Sequence, residues 1–284
     1  MLTASSYILA CDIGGTHITS AIIDTQTWQI LSDTLTRIHV NSSTDAKSIF
    51  QQWCDNINAC LHLSSENIKQ IGIAIPGPFN YEKGISYMKS QNKYDSLYGL
   101  DVNLPLKKLV NIPDVELKFI NDAAAFLQGE VYAQELSNTT DKILGITLGT
   151  GLGSAVWSKG KKAFDADLWD DQYKESIFEE YLVTRWFTMR FYELTGIEEK
   201  GLKEILEKHK GSDACDQLLN EYSQHLYDFL LHFSQVHDCR NFIIGGNIAK
   251  AWELISQKND FSAFQITTAR YAEKAALIGA ASIF

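Results

Sequence analysis

The chain is short of positive charge. Its 284 residues carry 25 Lys and Arg against 35 Asp and Glu, a formal net charge of −10, with a pI of about 5.2. That balance argues against a general nucleic-acid surface or an anionic-membrane surface, while leaving room for a local basic pocket. No apolar run reaches the length of a membrane span, and the N-terminus lacks the basic start and long apolar segment of a secretory signal. Disulfide chemistry is equally poorly served. The five cysteines (Cys11, Cys54, Cys60, Cys215, Cys239) are scattered, odd in number and never paired as C-x-x-C. A reduced, cytoplasmic setting is therefore expected. Asn41-Ser42-Ser43 and Asn138-Thr139-Thr140 match the glycosylation triplet, which without a secretion signal is most simply chance. Low-complexity tracts and long linkers are missing too. Two phosphate motifs are excluded: no G-x-x-x-x-G-K-[ST] loop occurs, and no G-x-G-x-x-G opens a helix after a strand.

What is present is a glycine turn between two strand-like runs. Ile8 to Asp24 reads as an apolar strand ending at Asp12, a turn at Gly14-Gly15, and a β-branched strand from Thr16 onward. The glycines allow backbone angles that other residues resist. Without a Cβ, such a turn brings backbone N–H groups close to a bound anion. A carboxylate at its mouth, Asp12, suits a phosphate that arrives with Mg²⁺, held directly or through water. A plain Gly-Gly hairpin is the competing reading. A second copy of the device weighs against it: Ile143 to Trp157 again runs strand, turn, strand, with Gly149, Thr150, Gly151 and Gly153 at the turn. Two such hairpins could grip one polyphosphate from both sides.

The remaining chain reads as mixed α/β. Residues 7–40 suggest a three-stranded meander whose third strand runs near 29–40. A helix follows over 44–63 with Thr44 as N-cap, then a buried strand from Lys69 into Pro76-Gly77-Pro78. Residues 79–103 are irregular and rich in Tyr, Asn, Lys and Asp, groups that hydrogen-bond and stack on a polyhydroxylated ligand; a plain surface excursion is the alternative. Glu116–Ile120 is a short strand, followed by Asn121 as N-cap and a helix through Tyr132. Asp122 in that first helical turn can serve the helix dipole alone. It also stands at a strand's carboxyl end, where open α/β sheets place their ligands, and there could accept a proton from an attacking hydroxyl. Helices are expected over 176–195, 201–208, 213–236 and 269–283. His225, His232 and His237 show no metal spacing and read as packed or solvated. The strand Arg240–Ile244 ends in Gly245-Gly246-Asn247, where a flat group such as a nucleoside base could approach the backbone.

Taken in order, five segments resemble the ROK family (repressor, open reading frame, kinase) of the actin-like ATPase superfamily: Asp12-Ile13-Gly14-Gly15-Thr16, Ile73–Pro78, Asn121-Asp122-Ala123 with Gly129-Glu130, Leu148–Gly153 and Ile244–Ile248. The resemblance implies two actin-like, ribonuclease H-like α/β domains with a cleft between them. The first would span 1–120 and the second 121–284, with the last helix (about 269–284) packing back on the first. It implies an ATP-dependent sugar kinase acting on a hexose or related sugar, with Asp122 as general base. Asp12 would help hold Mg–ATP. Gly14, Gly15, Thr16, Gly149, Thr150, Gly151 and Gly153 would hold phosphates, and Gly245, Gly246 and Asn247 the adenosine. Asn92, Asn121, Asp122 and Glu179 would bind sugar. A homodimer is also implied. An acid at a helix N-terminus is expected to stay ionised, ready to take a proton.

Typical members also carry an E-x-G-H sugar motif and a C-x-C-G-x-x-G-C zinc motif. Here the corresponding region, 159–176, has neither His nor Cys, so no zinc site is expected. Asp165, Asp167, Asp170 and Asp171 are candidates to replace the lost sugar ligands. Glu179 matches a sugar-binding Glu; an exposed helical acid is the other reading. His17 stands where many members have Lys or Asn. Because the family includes repressors, a non-catalytic sugar sensor or a degenerate kinase is the alternative function. Repressors usually carry an N-terminal helix-turn-helix, and here the first strand starts within a few residues of Met1.

Overall fold

A computed structural model describes residues 6–90, 93–138 and 140–284. The chain separates into two compact units. The first runs through Thr140 and takes in Lys162–Phe164 and Tyr271–Phe284; the second consists of Asp141–Lys161 and Asp165–Arg270. No described helix is long and apolar enough to cross a membrane.

In the first unit the order is β1 (Tyr7–Ile13), β2 (His17–Asp24), β3 (Gln29–Ile30), β4 (Thr36–His39), α1 (Ala46–His62), β5 (Gln70–Ile75), β6 (Phe79–Asn80), β7 (Ile85–Ser86), α2 (Asn103–Leu109), β8 (Glu116–Asn121) and α3 (Asp122–Ala133). The second contains β9 (Lys142–Leu148), β10 (Leu152–Ser158), β11 (Phe164–Asp165, where the chain re-enters), β12 (Gln172–Tyr173), β13 (Ser176–Ile177), α4 (Phe178–Leu182), α5 (Thr184–Thr195), α6 (Leu202–His209), α7 (Asp213–His237), β14 (Asn241–Gly245), α8 (Trp252–Ser256) and β15 (Gln265–Thr268). The chain then returns to the first unit for α9 (Glu273–Ala281).

The first unit is built on a sheet ordered β3-β2-β1-β5-β8, with β4 also paired to β2. β1 and β2 are antiparallel, whereas β1, β5 and β8 run parallel. Alternation along the strands sorts side chains by size. Leu9, Cys11, Ile13, Ile71, Ile73 and Ile75 join the core built with Ile49, Trp53 and Ile57 of α1. The opposite face offers small residues, and there α9 lies almost on the backbone. A Cβ on Gly72 would fall 1.9 Å from the Ala280 carbonyl oxygen. The α3–α9 contact is equally close in both directions: a Cβ on Gly129 would meet the Ala275 oxygen at 1.8 Å, and one on Gly279 the Ala125 oxygen at 1.8 Å. This packing explains why the unit extends through Thr140 rather than ending at 120. α3 is buried along its length against α9 and the sheet, and so is grouped with the first unit.

Glu130, fully buried in α3, fastens the returning segment. Its Oε1 accepts from the N–H groups of Tyr271 (2.8 Å) and Ala272 (2.9 Å) at the head of α9. Backbone donors that precede a helix have no intrahelical partner, so a buried carboxylate there meets an obligation of the backbone.

The second unit carries a sheet ordered β11-β10-β9-β14-β15, with β9–β10 antiparallel and β9, β14 and β15 parallel. Its core joins Leu144, Ile146, Val156 and Ile244 to the apolar face of α7, including Leu226, Phe229 and Phe233.

Four expected elements differ, one being the closing helix, expected from 269 and starting at Glu273. The strand near 29–40 is split into β3 and β4 by a turn at Ser32–Thr34, where the Thr34 hydroxyl accepts the Ile22 N–H (2.9 Å) and donates to the Leu31 oxygen (2.6 Å). The helix expected over 176–195 is broken at extended Val183, because Thr184 turns to bond the Gly149 oxygen through its N–H (2.8 Å) and its hydroxyl (2.9 Å). Helix α1 starts one residue later than Thr44 would set it, with Asp45 as N-cap accepting from Ser48 N–H at 3.0 Å.

Candidate functional site

The parallel register of β1, β5 and β8 pairs Asp12 with Ala74 and Ile75 with Asn121. Asp12, the Pro76-Gly77-Pro78 turn and Asn121-Asp122 thus come to the carboxyl edge of one sheet, where open α/β sheets bind ligands. Asn121 caps α3 by accepting the Ala124 N–H at 3.0 Å, and donates from Nδ2 to the Tyr81 hydroxyl at 3.2 Å. Asp122 receives the Ala123 N–H at 2.9 Å. Asn92 lies outside the described residues.

The first glycine turn is closed by a bond from Gly14 N–H to the His17 oxygen (2.9 Å). Thr16 is exposed, and its hydroxyl lies 2.9 Å from His17 Nδ1. Neither Gly14 nor Gly15 uses the left-handed backbone angles that glycine allows. A Cβ would also fit: the nearest atoms would be the His17 oxygen at 3.6 Å and Lys93 Cδ at 3.5 Å. Neither the backbone angle nor this protein's own packing requires these glycines. Their absent side chains leave an open backbone surface, the property an anion cradle uses. Tyr94, fully buried against Trp53, braces the turn by donating from its hydroxyl to the Gly14 oxygen at 2.6 Å.

Asp12 and Asp122 are electrostatic neighbours. Burial, then the Asp122 charge, push the Asp12 carboxyl up to about 7; Arg37 opposes this and Glu273 adds to it. Burial also raises the Asp122 carboxyl, against the pull of Lys93 and of the Ala123 N–H. The helix terminus therefore does not act alone on Asp122: desolvation raises the carboxyl while the Ala123 N–H and Lys93 lower it. A carboxylate raised in this way is a stronger base toward a hydroxyl. A second acid that opposes the ionisation of Asp12 also makes a donor pair that suits a divalent cation. Among the described residues, no group of three or more His, Cys, Asp or Glu is placed to hold a metal.

The second glycine turn sits in the other unit. Gly149 N–H bonds the Gly151 oxygen at 3.2 Å, and a Cβ on Gly149 would meet nothing within 4 Å. Thr150 and Gly151 are exposed. Gly153 and Gly245 both pair with Thr147 across the sheet, so the strand ends that carry the turn and Gly245-Gly246-Asn247 are neighbours. Gly246 has φ +89°, and a Cβ there would fall 2.2 Å from the Leu148 oxygen; only glycine permits this approach. Asn247 is exposed and accepts from Lys250 Nζ at 2.8 Å. Glu179 accepts the Leu152 N–H at 3.0 Å, just past the turn, and Arg185 Nη2 at 3.2 Å. Its carboxylate therefore shapes the glycine turn.

The acids of the region without His and Cys are occupied locally. Asp165 accepts the Asp167 N–H (3.0 Å), Asp167 accepts Trp169 Nε1 (2.8 Å), and Asp171 pairs with His232 Nε2 at 2.6 Å. Asp170 is exposed. A polar and aromatic staple holds the β12–β13 hairpin. The Tyr173 hydroxyl donates to Asp228 at 2.7 Å and lies 3.0 Å from His225 Nδ1, while its ring stacks on Phe178 at 4.4 Å. Lys174 Nζ is 3.2 Å from the same His225 nitrogen. Burial and then Lys174 push the His225 imidazole down to about 4, so it stays neutral at physiological pH.

Sequence reading did not single out Lys93, Tyr94 or the fastening role of Glu130. The first two come from the irregular loop, whose fold no periodicity reveals; Glu130 was visible only as part of a motif.

A family model of the ROK family matches residues 8–164, more than half the chain. A comparison with curated proteins found no match. Solved structures share the fold. A ROK family glucokinase from Streptomyces griseus, in complex with glucose and AMPPNP, is 18% identical with a TM-score of 0.76, over 98% of this chain and 98% of its own. The ROK hexokinase of Thermus thermophilus is 17% identical with a TM-score of 0.76, over 97% and 96%. A ROK family transcriptional regulator, a homologue of the E. coli MLC protein, is 17% identical with a TM-score of 0.75, over 97% of this chain and 76% of its own. With the glycine turns, the N-D-A…G-E helix and the α/β sheets all in family order, this chain belongs to the ROK family.

Proposed function

We propose that the protein is an ATP-dependent sugar kinase that transfers the γ-phosphate of ATP to a hydroxyl of a hexose or related sugar. The observation that carries this reading is the placement of Asp122. It stands at the carboxyl edge of the first sheet, at the head of α3, with a raised pKa and Asp12 as its electrostatic neighbour. In that position Asp122 takes the proton of the attacking sugar hydroxyl, while Asn121, Asn92 and Glu179 bind sugar. Gly14, Gly15 and Thr16, and likewise Gly149, Thr150, Gly151 and Gly153, offer open backbone to phosphates. Gly245, Gly246 and Asn247 receive the adenosine. Mg²⁺, which Asp12 would hold directly or through water, supplies charge neutralisation at the phosphates. Phosphoryl transfer asks a protein mainly for alignment, charge stabilisation and a base at the nucleophile.

The likeness to a ROK transcriptional regulator supports a second reading, a sugar-responsive sensor without turnover. A coupled ADP-release assay over a sugar panel separates the two. Sugar-dependent turnover, reduced about 10²–10⁴-fold by Asp122→Asn as expected for loss of a general base, sustains the kinase. Sugar binding in calorimetry without turnover overturns it in favour of the sensor. A homodimer in cytoplasmic solution goes with the kinase reading and is checked by light scattering.

A further inference from the structure

Phosphoryl transfer needs positive charge beside the migrating group, and the cations near Asp12 and Asp122 differ in their commitments. Arg37, which acts on Asp12, is already paired with Glu273 at 3.1 Å. Position 17, at the exit of the first glycine turn, is occupied by histidine, whose Nδ1 is engaged with the Thr16 hydroxyl. Lys93 comes from elsewhere, the irregular loop after β7. Its Cδ lies 3.5 Å from where a Gly15 Cβ would stand, so its stem runs along the open face of the turn. Its charge acts on Asp122. It forms no ion pair with a described residue.

The stem does not rest there by chance of an exposed chain. The next residue, Tyr94, is fully buried, donates from its backbone N–H to the Ser42 oxygen at 2.9 Å and from its hydroxyl to the Gly14 oxygen at 2.6 Å. The loop is thus pinned to the turn at the residue beside Lys93. A lysine stem laid over an anion cradle, with its charge acting on the proposed general base, joins the two places a transferring phosphoryl group must visit.

We infer that Lys93 is a further catalytic residue, whose ammonium binds the equatorial oxygens of the phosphoryl group as it passes from ATP to the sugar hydroxyl. This rests on the kinase reading above. Bond making and breaking are those of the transfer itself: the sugar oxygen bonds to γ-phosphorus, the bond to the β-phosphate bridging oxygen breaks, the hydroxyl proton goes to Asp122, and ADP leaves. Lys93 takes no part in the proton transfer and supplies charge where charge develops, an arrangement that gains force in a site that excludes water. In the free protein the same ammonium lowers the Asp122 carboxyl against its burial, and Asp122 in turn raises Asp12, which Arg37 lowers and Glu273 raises.

The test uses the full chain as Lys93→Met, which keeps the stem over Gly15, and Lys93→Arg, which keeps the charge. Steady-state kinetics with Mg–ATP should show kcat lowered about 10²–10³-fold in Lys93→Met, the size expected for one lost electrostatic contact to a transition state, with sugar KM little changed and partial recovery in Lys93→Arg. The acid limb of the kcat/KM profile should move to higher pH in Lys93→Met only. Wild-type kcat with an unmoved profile in Lys93→Met overturns the inference. If the parent chain turns over no sugar, the kinase reading itself has failed, and Lys93 is judged on inorganic pyrophosphate as probe. Affinity weakened about tenfold in Lys93→Met then keeps Lys93 as an anion-binding residue, and unchanged affinity removes that as well.

Discussion

Replacing Asp12 by asparagine should make the protein more stable at pH 8. The Asp12 carboxyl sits near 7 in the folded chain against 3.8 as a reference, a gap of about 3 pH units, first because of burial and then because of the Asp122 charge. The sign follows from proton linkage. Between those two values the folded state keeps a proton that the unfolded state has released. Stability therefore falls as pH rises through that window, and the full cost is present above about 7. At about 1.36 kcal/mol per pH unit the ceiling is about 4 kcal/mol, and relaxation around the charge brings the expected gain for Asp12→Asn to about 1–3 kcal/mol. For a chain of this size each kcal/mol moves the melting temperature by about 2–4 °C. Thermal melts without ligand should show Asp12→Asn about 3–10 °C above the parent at pH 8, with the two converging near pH 4. Added Mg–ATP should raise the parent and leave the variant almost unmoved, because the variant has lost the acid assigned to the metal. A variant that is less stable at pH 8, or a difference that does not shrink toward acid, would falsify the account of Asp12 as a carboxylate held in the wrong solvent.

Two further predictions concern packing and acid sensitivity. Gly279→Ala places a methyl 1.8 Å from the Ala125 oxygen, so α3 and α9 must separate; a loss of about 3 kcal/mol or more in urea unfolding is expected, and wild-type stability would show that the helices do not pack so closely. His225 is the mirror case to Asp12: a buried imidazole near 4 gains its proton on unfolding between pH 6.5 and 4, so stability falls as pH drops through that window, by about 3 kcal/mol in full. His225→Gln should flatten that slope, and an equally steep acid loss in the variant would assign it to other groups.

Much of the site was legible because its parts are local. The Asn121 cap needs only a polar residue before an apolar helix, and both glycine hairpins announce themselves by apolar runs on either side. What escaped reading depends on partners distant in sequence. Val183 breaks a helix because Gly149, far earlier in the chain, takes Thr184. Strand β15 is short and largely exposed, so its residues carry no burial pattern. Lys93 and Tyr94 reach the first turn from a loop whose course is set by tertiary hydrogen bonds. Gly14 and Gly15 were read both as conformationally free and as clearing space for an anion, and only three-dimensional distances single out clearance as what they supply.

The fastening of α9 by Glu130 has a consequence for how the chain is made. The sheet face formed by Ala10, Gly72 and Ala74 is lined with side chains too small to close on themselves, and its cover arrives only with residues 271–284. During synthesis, the first 140 residues must wait with that face unroofed while more than a hundred others leave the ribosome. Nascent chains stalled before 271 should accordingly hold chaperones that chains extended through 284 let go.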